Sequence, residues 1–206
     1  MARLAIVGAS GHGRVVADAA ECAGWGFIAF FDDAWPKLQS NGPWPVVGDM
    51  RALHSVANDY DGIVIAIGNN VIRQQKIREI ESFCDKLVSV THPAAIISPH
   101  ATVGLGSVVL AGAVLNAFSS MGRGAIINTG AVVEHDVSLG ECVHISPNAT
   151  LAGGVMVGSL SWVGAGASLR QLVKIGSAVT VGMGSVVLND VTSDNTVVGV
   201  PAVTIR

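Results

Sequence analysis

The C-terminal half of this chain has a strict hydrophobic rhythm of six. Stepping six residues at a time from Ile97 to Val187 lands on an apolar residue sixteen times in succession, without an insertion. Four residues after each landing point, from Ala101 to Val191, the chain is small or β-branched. Neither an α-helix nor an alternating strand has this period, whereas a hexapeptide β-helix does. The pattern predicts a triangular coil in which each hexad supplies one flat face and one corner. The aliphatic residue points into the prism, and the small residue fits the tight space near the turn.

Before Ile97 the rhythm differs. Residues 4–7 form a short apolar run suited to a buried parallel strand. Gly8-Ala-Ser-Gly11-His12-Gly13 follows, and residues 14–23 read as a helix ended by Gly24. A second strand over 26–31 leads into Asp32-Asp33. Residues 49–58 predict a short helix, 62–67 a third buried strand, 71–83 a helix carrying Arg73, Lys76 and Arg78, and 87–90 a candidate fourth strand. Pro36, Gly42, Pro43 and Pro45 predict a loop across 34–48. The fold expected is a Rossmann-like α/β domain over residues 1–91, then an all-β parallel β-helix over 92–206 whose last coil is covered by a cap after Thr192.

Composition sharpens this picture. Hydrophobic residues make up 50% of the chain and charged residues 13%. A continuous aliphatic core in stacked coils accounts for that without a membrane, and no apolar run is long enough to span one. Three widely spaced cysteines, Cys22, Cys84 and Cys142, argue against a disulfide framework and for a cytoplasmic location. A net charge of −3 without a basic cluster disfavours nucleic acid as a partner. It leaves room for a phosphorylated small molecule held by backbone N–H groups.

The β–glycine loop–α–β–acid order at the start is that of a nucleotide-binding unit. Gly8, Gly11 and Gly13 give G-x-x-G-x-G, not the dinucleotide fingerprint, so NAD is not the natural reading. A phosphate resting on the loop amides is. Residues 8–13, 32–33 and 68–70 all fall at the carboxyl ends of strands, where such sheets bind ligands. Gly11, His12 and Gly13 are therefore candidates for pyrophosphate, Asp32 and Asp33 for nucleobase or ribose donors, and Gly68 and Asn69 for the opposite wall. One of the two aspartates could instead cap the following turn.

Several pieces resemble, in order, a known family. They are Gly8-Ala-Ser-Gly-His-Gly13, Phe31-Asp-Asp33, Ala66-Ile-Gly-Asn-Asn70 with Ile72-Arg73, His92-Pro93, Ile127-Asn128-Thr129, Glu134-His135-Asp136, Gly140-Glu141 with His144, and Val198-Gly199-Val200-Pro201-Ala202. The family is that of two-domain, left-handed β-helix acyltransferases that N-acetylate nucleotide-linked 4-amino sugars, with the bacillosamine-pathway enzymes the closest likeness. The resemblance implies a homotrimer with active sites between neighbouring solenoids, acetyl-CoA along the groove, and the nucleotide of the sugar held by the N-terminal domain. Two positions depart from the family pattern. Val203 stands where a basic residue often follows Pro-Ala, and Asp136 where a longer carboxylate often follows the histidine.

The residues themselves suit this chemistry. Acetyl transfer to an amine needs a base, donors for the developing oxyanion, and contacts that align amine and thioester. His135 stands two residues past the inward Val133 and so should point outward, with Asp136 to orient it. The two are the expected catalytic pair. Gly153 lies one coil above His135, roughly 4.8 Å away, where its amide would meet the thioester oxygen. His144 falls half a coil from His135 and is expected at the acetyl or pantetheine end of CoA, facing a neighbour's His135. Gly164, Ala165 and Gly182 would leave a groove for pantetheine. Asn128 and Thr129 match family positions near the sugar, and Asn128 also suits a turn. Neither histidine nor cysteine spacing supports a metal site. UDP, GDP, dTDP and CMP sugars all suit the loop. Sialic-acid-type O-acetylation is the rival reaction, and a non-catalytic nucleotide-sugar-binding scaffold the rival class.

Overall fold

The structure is a computed structural model that describes residues 1–205. It divides into two compact units, Met1–Pro93 and Ala94–Arg206.

The first unit is a five-stranded sheet in the order β3-β4-β2-β1-β5. The strands are β1 (Arg3–Val7), β2 (Phe27–Phe31), β3 (Ser40–Asn41), β4 (Trp44–Gly48) and β5 (Gly62–Ile65). Three helices accompany it: α1 (Gly11–Cys22), α2 (Met50–Val56) and α3 (Asn70–Glu81). All pairings are parallel except that of β3 with β4. The chain runs from β1 outward through β2 to β4, then returns to the far side of β1 as β5. The strand order therefore reverses at β1, the switch point at which open α/β sheets bind ligands.

Two expectations are corrected here. Residues 34–48 are not all loop, because Trp44–Gly48 forms a strand beside β2. Trp44, Val46 and Gly48 face inward while Pro45 and Val47 face out, so the alternation of a half-buried strand outweighs the prolines. The predicted fourth strand is reduced to a bridge between Leu87 and Ile63, with a two-residue strand at Val90–Thr91.

The second unit is a parallel β-helix. Two-residue strands recur every six residues from Ile96–Ile97 to Val186–Val187. The second residue of each is the inward aliphatic of the hexad, and these side chains with the small residues between them form one continuous core. Burying each Val, Leu or Ile is worth roughly 1.5–3 kcal/mol. Three sheets make the faces. One stacks strands 96–97 to 186–187, another 102–103 to 174–175, and the third 108–109 to 180–181, each strand in register with the one eighteen residues on. The third face continues into Thr196–Gly199, on which Ala202–Thr204 folds back antiparallel as the cap.

The corners share one conformation. Every sixth residue from Gly106 to Gly184 has positive φ, including Asp136 at 60°. Glycine and short polar residues tolerate this region best. Serines at the small positions close the coils. Ser161 Oγ donates to Gly176 O at 2.7 Å and accepts from Val179 N at 3.0 Å. One corner carries a glycine column, Gly104, Gly122, Gly140, Gly158 and Gly176. A Cβ on Gly140 would stand 2.5 Å from the Ser159 nitrogen of the next coil.

Candidate active site

His135 and Asp136 occupy the corner between strands Val132–Val133 and Ser138–Leu139. The positive φ of Asp136 folds its carboxylate back on the preceding side chain, and His135 Nδ1 bonds Asp136 Oδ2 at 2.8 Å. An ionised carboxylate only accepts, so Nδ1 carries the proton and Nε2 holds the lone pair. Both side chains are exposed, at 64% and 62%. The Nε2 edge rests on the next coil. A Cβ added to Gly153 would stand 2.5 Å from both Cε1 and Nε2 of His135. The coils are tied here by Gly154 N donating to His135 O at 2.9 Å. The Gly153 N–H makes no hydrogen bond among the described residues. Glu134, the other flanking carboxylate, does not serve the histidine. It accepts from Asn116 Nδ2 at 2.9 Å, one coil below.

His144 lies elsewhere. It opens strand His144–Ile145 on the third face, between Ile126 and Trp162 in register. Asn128 Oδ1 accepts from Thr129 N at 2.9 Å, which turns the Asn128 amide nitrogen to His144 Nε2 at 3.1 Å. That nitrogen can only donate, so Nε2 accepts and His144 carries its proton on Nδ1. Asn128, Thr129 and His144 are thus one cluster. The His135 corner joins the other two faces, so it stands across the prism from this cluster.

The three residues expected along a pantetheine groove differ in their surroundings. Gly164 is buried, and a Cβ on it would stand 2.6 Å from Met183 N, so its smallness serves coil stacking. Gly182 lies under the C-terminal cap, where a Cβ would stand 2.7 Å from Val198 Cγ1. Ala165 and Gly182 are both partly exposed. A separate concavity of about 660 Å³ lies on the 102–174 face, lined by Ser138, Met156, Lys174 and Asp190 among others. It contains none of the candidate site residues named from sequence, although Gly140 of the Gly140-Glu141 piece lines it.

In the first unit the predicted segments do converge at the carboxyl ends of the strands. A small pocket of about 130 Å³ is lined by Gly8, Asp32, Asp33, Met50, Ile67, Ile72 and Lys76 with Val7 and Phe31. Asp32 is the structural member of its pair: Oδ2 accepts from Ala9 N at 2.7 Å and Oδ1 from Ala34 N at 2.9 Å. Asp33 stays exposed, with Lys76 Nζ 3.7 Å away. Asn69 caps α3 by accepting from Ile72 N at 3.0 Å. Helix α1 starts at Gly11, three residues earlier than expected, so Gly11, His12 and Gly13 form its first turn. Their amides point out of the helix end, as an anion site needs. Gly13 itself is buried because a Cβ would strike the Gly8 carbonyl and Phe30. It serves helix–strand packing and offers a ligand only its N–H. His12 is lowered from 6.5 to about 4, first by burial and then by the Arg73 charge, so it is neutral at pH 7.

Met50, Ile67, Ile72, Lys76 and Arg73 escaped assignment from sequence. Arg73 had a signal: it falls at helical spacing with Ile77 and Ile80, on the buried face of α3.

Comparison with known proteins decides the kinship. Residues 3–80 match the family described as the PglD N-terminal domain. The acetyltransferase domain of PglB from Neisseria gonorrhoeae, solved in complex with acetyl coenzyme A, is 42% identical. It covers 98% of each chain with a TM-score of 0.95. The chain belongs to this family of nucleotide-sugar acetyltransferases. Its β-helix is accordingly the left-handed β-helix of that family. PerB from Caulobacter crescentus, solved with CoA and GDP-perosamine, is 37% identical over 100% of this chain and 98% of its own, with a TM-score of 0.95. UDP-N-acetylbacillosamine N-acetyltransferase of Bacillus subtilis is 36% identical over 114 residues, 54% of this chain. That match spans about half, 52%, of the curated relative. Among the described residues no cluster of His, Cys, Asp and Glu gathers as a metal set, and no helix is long and apolar enough to cross a membrane.

Proposed function

We propose that this protein transfers an acetyl group from acetyl-CoA to the 4-amino group of a nucleotide-linked amino-deoxy sugar. The observation that carries the reading is the His135–Asp136 pair, whose 2.8 Å bond leaves Nε2 as an exposed, oriented base. It stands on a chain similar throughout to structures holding acetyl-CoA, or CoA with GDP-perosamine.

The uncharged amine attacks the thioester carbonyl carbon directly. His135 Nε2 takes the proton that nitrogen sheds, and Asp136 stabilises the imidazolium. The Gly153 N–H is the donor offered to the oxyanion. Collapse breaks the C–S bond, the amide is formed, and the departing thiolate receives the proton from His135. No cysteine adjoins His135 in sequence, so no acyl-enzyme is invoked.

The position of His144 across the prism from His135 supports a site completed by a second copy. In this reading a homotrimer juxtaposes the base of one chain with the Asn128–His144 cluster of the next, His144 serving the acetyl end of CoA and Ala165 the pantetheine arm. The N-terminal unit takes the nucleotide, with its diphosphate at the first turn of α1 and its base in the pocket beside Asp33. The reaction is placed in the cytoplasm, where acetyl-CoA and nucleotide sugars are available.

An acetyl-CoA consumption assay across UDP-, GDP-, dTDP- and CMP-linked 4-amino sugars tests the activity. His135→Ala should lower kcat about 10²–10⁴-fold while acetyl-CoA still binds. Near wild-type turnover in that variant would remove His135 as the base.

A further inference from the structure

A fully buried arginine stands behind the turn between β5 and α3. Arg73 has 0% exposure. Its Nη1 donates to Ile67 O at 2.8 Å and Gly68 O at 3.2 Å, and its Nη2 to Asn70 Oδ1 at 2.8 Å. Burying a guanidinium is costly, and an aliphatic residue would fill this helix face at less cost. The turn it holds is what the charge gains.

A trans peptide is planar, with its C=O and N–H pointing in opposite directions. The Ile67 carbonyl turned in on the guanidinium therefore turns the Gly68 N–H away from it. The Gly68 carbonyl does the same for the Asn69 N–H. Neither N–H bonds an acceptor among the described residues. Gly68 is exposed, and a Cβ built on it would meet nothing within 4 Å, so the pair stays uncovered. The turn abuts the first glycine loop, since a Cβ on Gly8 would stand 2.9 Å from Ile67 Cγ1 and 3.0 Å from Ala66 O. The Arg73 charge also reaches His12 in the first turn of α1.

We propose that Arg73 is a positioning residue for the nucleotide diphosphate. It touches no ligand. By fastening two successive carbonyls inward it presents the Gly68 and Asn69 amides as a second pair of anion donors beside the first turn of α1. This rests on the reading that the N-terminal unit takes the nucleotide sugar. Lysine keeps the charge but lacks the planar fork that spans two carbonyls and an amide oxygen, so Arg73→Lys separates the two properties.

The test compares wild type, Arg73→Lys and Arg73→Met by steady-state kinetics, by an NMR titration of the His12 ring, and by calorimetry with UDP, GDP, dTDP and CMP. In both variants KM for the nucleotide sugar should rise about tenfold or more, with kcat and the acetyl-CoA KM within about twofold. The His12 midpoint should stay low in Arg73→Lys and rise in Arg73→Met, where one of its two causes is gone. Should Arg73→Met fail to fold, Arg73→Lys decides alone. A wild-type nucleotide-sugar KM in Arg73→Lys, or a joint change in kcat and both KM values, overturns the role. Wild-type protein that binds none of the four nucleotides overturns the nucleotide reading itself.

Discussion

The imidazole of His135 rests on the backbone of Gly153, eighteen residues and one coil further along the solenoid. A glycine beside a base invites reading as an amide donor, and that role is retained in the proposed mechanism. The contact adds a second requirement, because any side chain at 153 would occupy the space of Cε1 and Nε2. Gly153 has no left-handed backbone angle to protect, so alanine is conformationally acceptable there. Gly153→Ala should fold with a thermal midpoint within a few degrees of wild type and lose about 10–10³-fold in kcat through displacement of the base. Kinetics beside a melting curve checks this. Unchanged turnover would show that the ring position does not matter.

Asp136 offers a way to isolate charge from geometry. Asparagine tolerates positive φ as aspartate does, so Asp136→Asn keeps the corner while removing the carboxylate. An asparagine that presents its amide nitrogen to Nδ1 selects the other tautomer and blocks the lone pair at Nε2. A fall of about 10²-fold or more in kcat, with little change in either KM, is expected.

Asn128 sets the same Nδ1-protonated tautomer in His144, but from the other edge of the ring, by donating to Nε2. Asn128→Asp replaces the donor facing Nε2 by an acceptor and moves the His144 proton to that nitrogen. Nitrogen-15 shifts of the ring should report the exchange. The acetyl-CoA KM should rise with it if His144 serves the acetyl end of CoA.

His12 predicts a pH dependence of stability. Its folded pKa, about 4, lies below the ordinary 6.5, so between these values the unfolded chain binds a proton that the native protein does not. Stability is then complete above pH 6.5 and falls as pH drops toward 4, by at most about 3 kcal/mol. Denaturant unfolding of wild type and His12→Gln between pH 4 and 7 measures the difference. A slope of equal steepness in both would assign it to other groups.

The glycine column predicts where the solenoid is least tolerant. Gly140→Ala pushes a methyl against the Ser159 nitrogen of the next coil and should cost about 1–3 kcal/mol. At Gly166 nothing lies within 4 Å, and the backbone angle of +68° is the only obstacle. Alanine there should cost about 1 kcal/mol. Thermal midpoints of the two variants should rank in that order.

Much of the fold was legible because its physics is periodic. An aliphatic residue every sixth position can be buried in only one kind of coil, so the strand positions followed from Ile97 to Val187. The positive-φ residue of each corner was not legible, since Phe118, Cys142 and Leu172 occupy it as well as glycine. There the closing hydrogen bonds of the coil override the local preference. In the first unit local signals misled. Pro43 and Pro45 read as loop, although Pro45 only turns outward from a strand whose Trp44 and Val46 face the core. Gly11 and Gly13 read as loop, although the helix begins beneath them and needs Gly13 small against the Gly8 carbonyl.

What the sequence determined by itself was the solenoid, the Rossmann-like start, the pairing of His135 with its neighbour Asp136, and the eighteen-residue distance to Gly153. These depend on spacing and on contacts between adjacent residues. The tertiary structure alone decided which small residues have a neighbouring coil or the cap packed against them. Gly164, Gly182 and Gly13 look like groove and loop in one dimension, yet each is small because backbone or cap lies against it. It also decided that Glu134 serves Asn116, that Asp32 braces Ala9 while Asp33 stays exposed, that Asn128 faces His144, and that Arg73 is buried behind the turn it holds. Each of these depends on what a distant part of the chain places opposite a side chain, and no periodicity in the sequence records that.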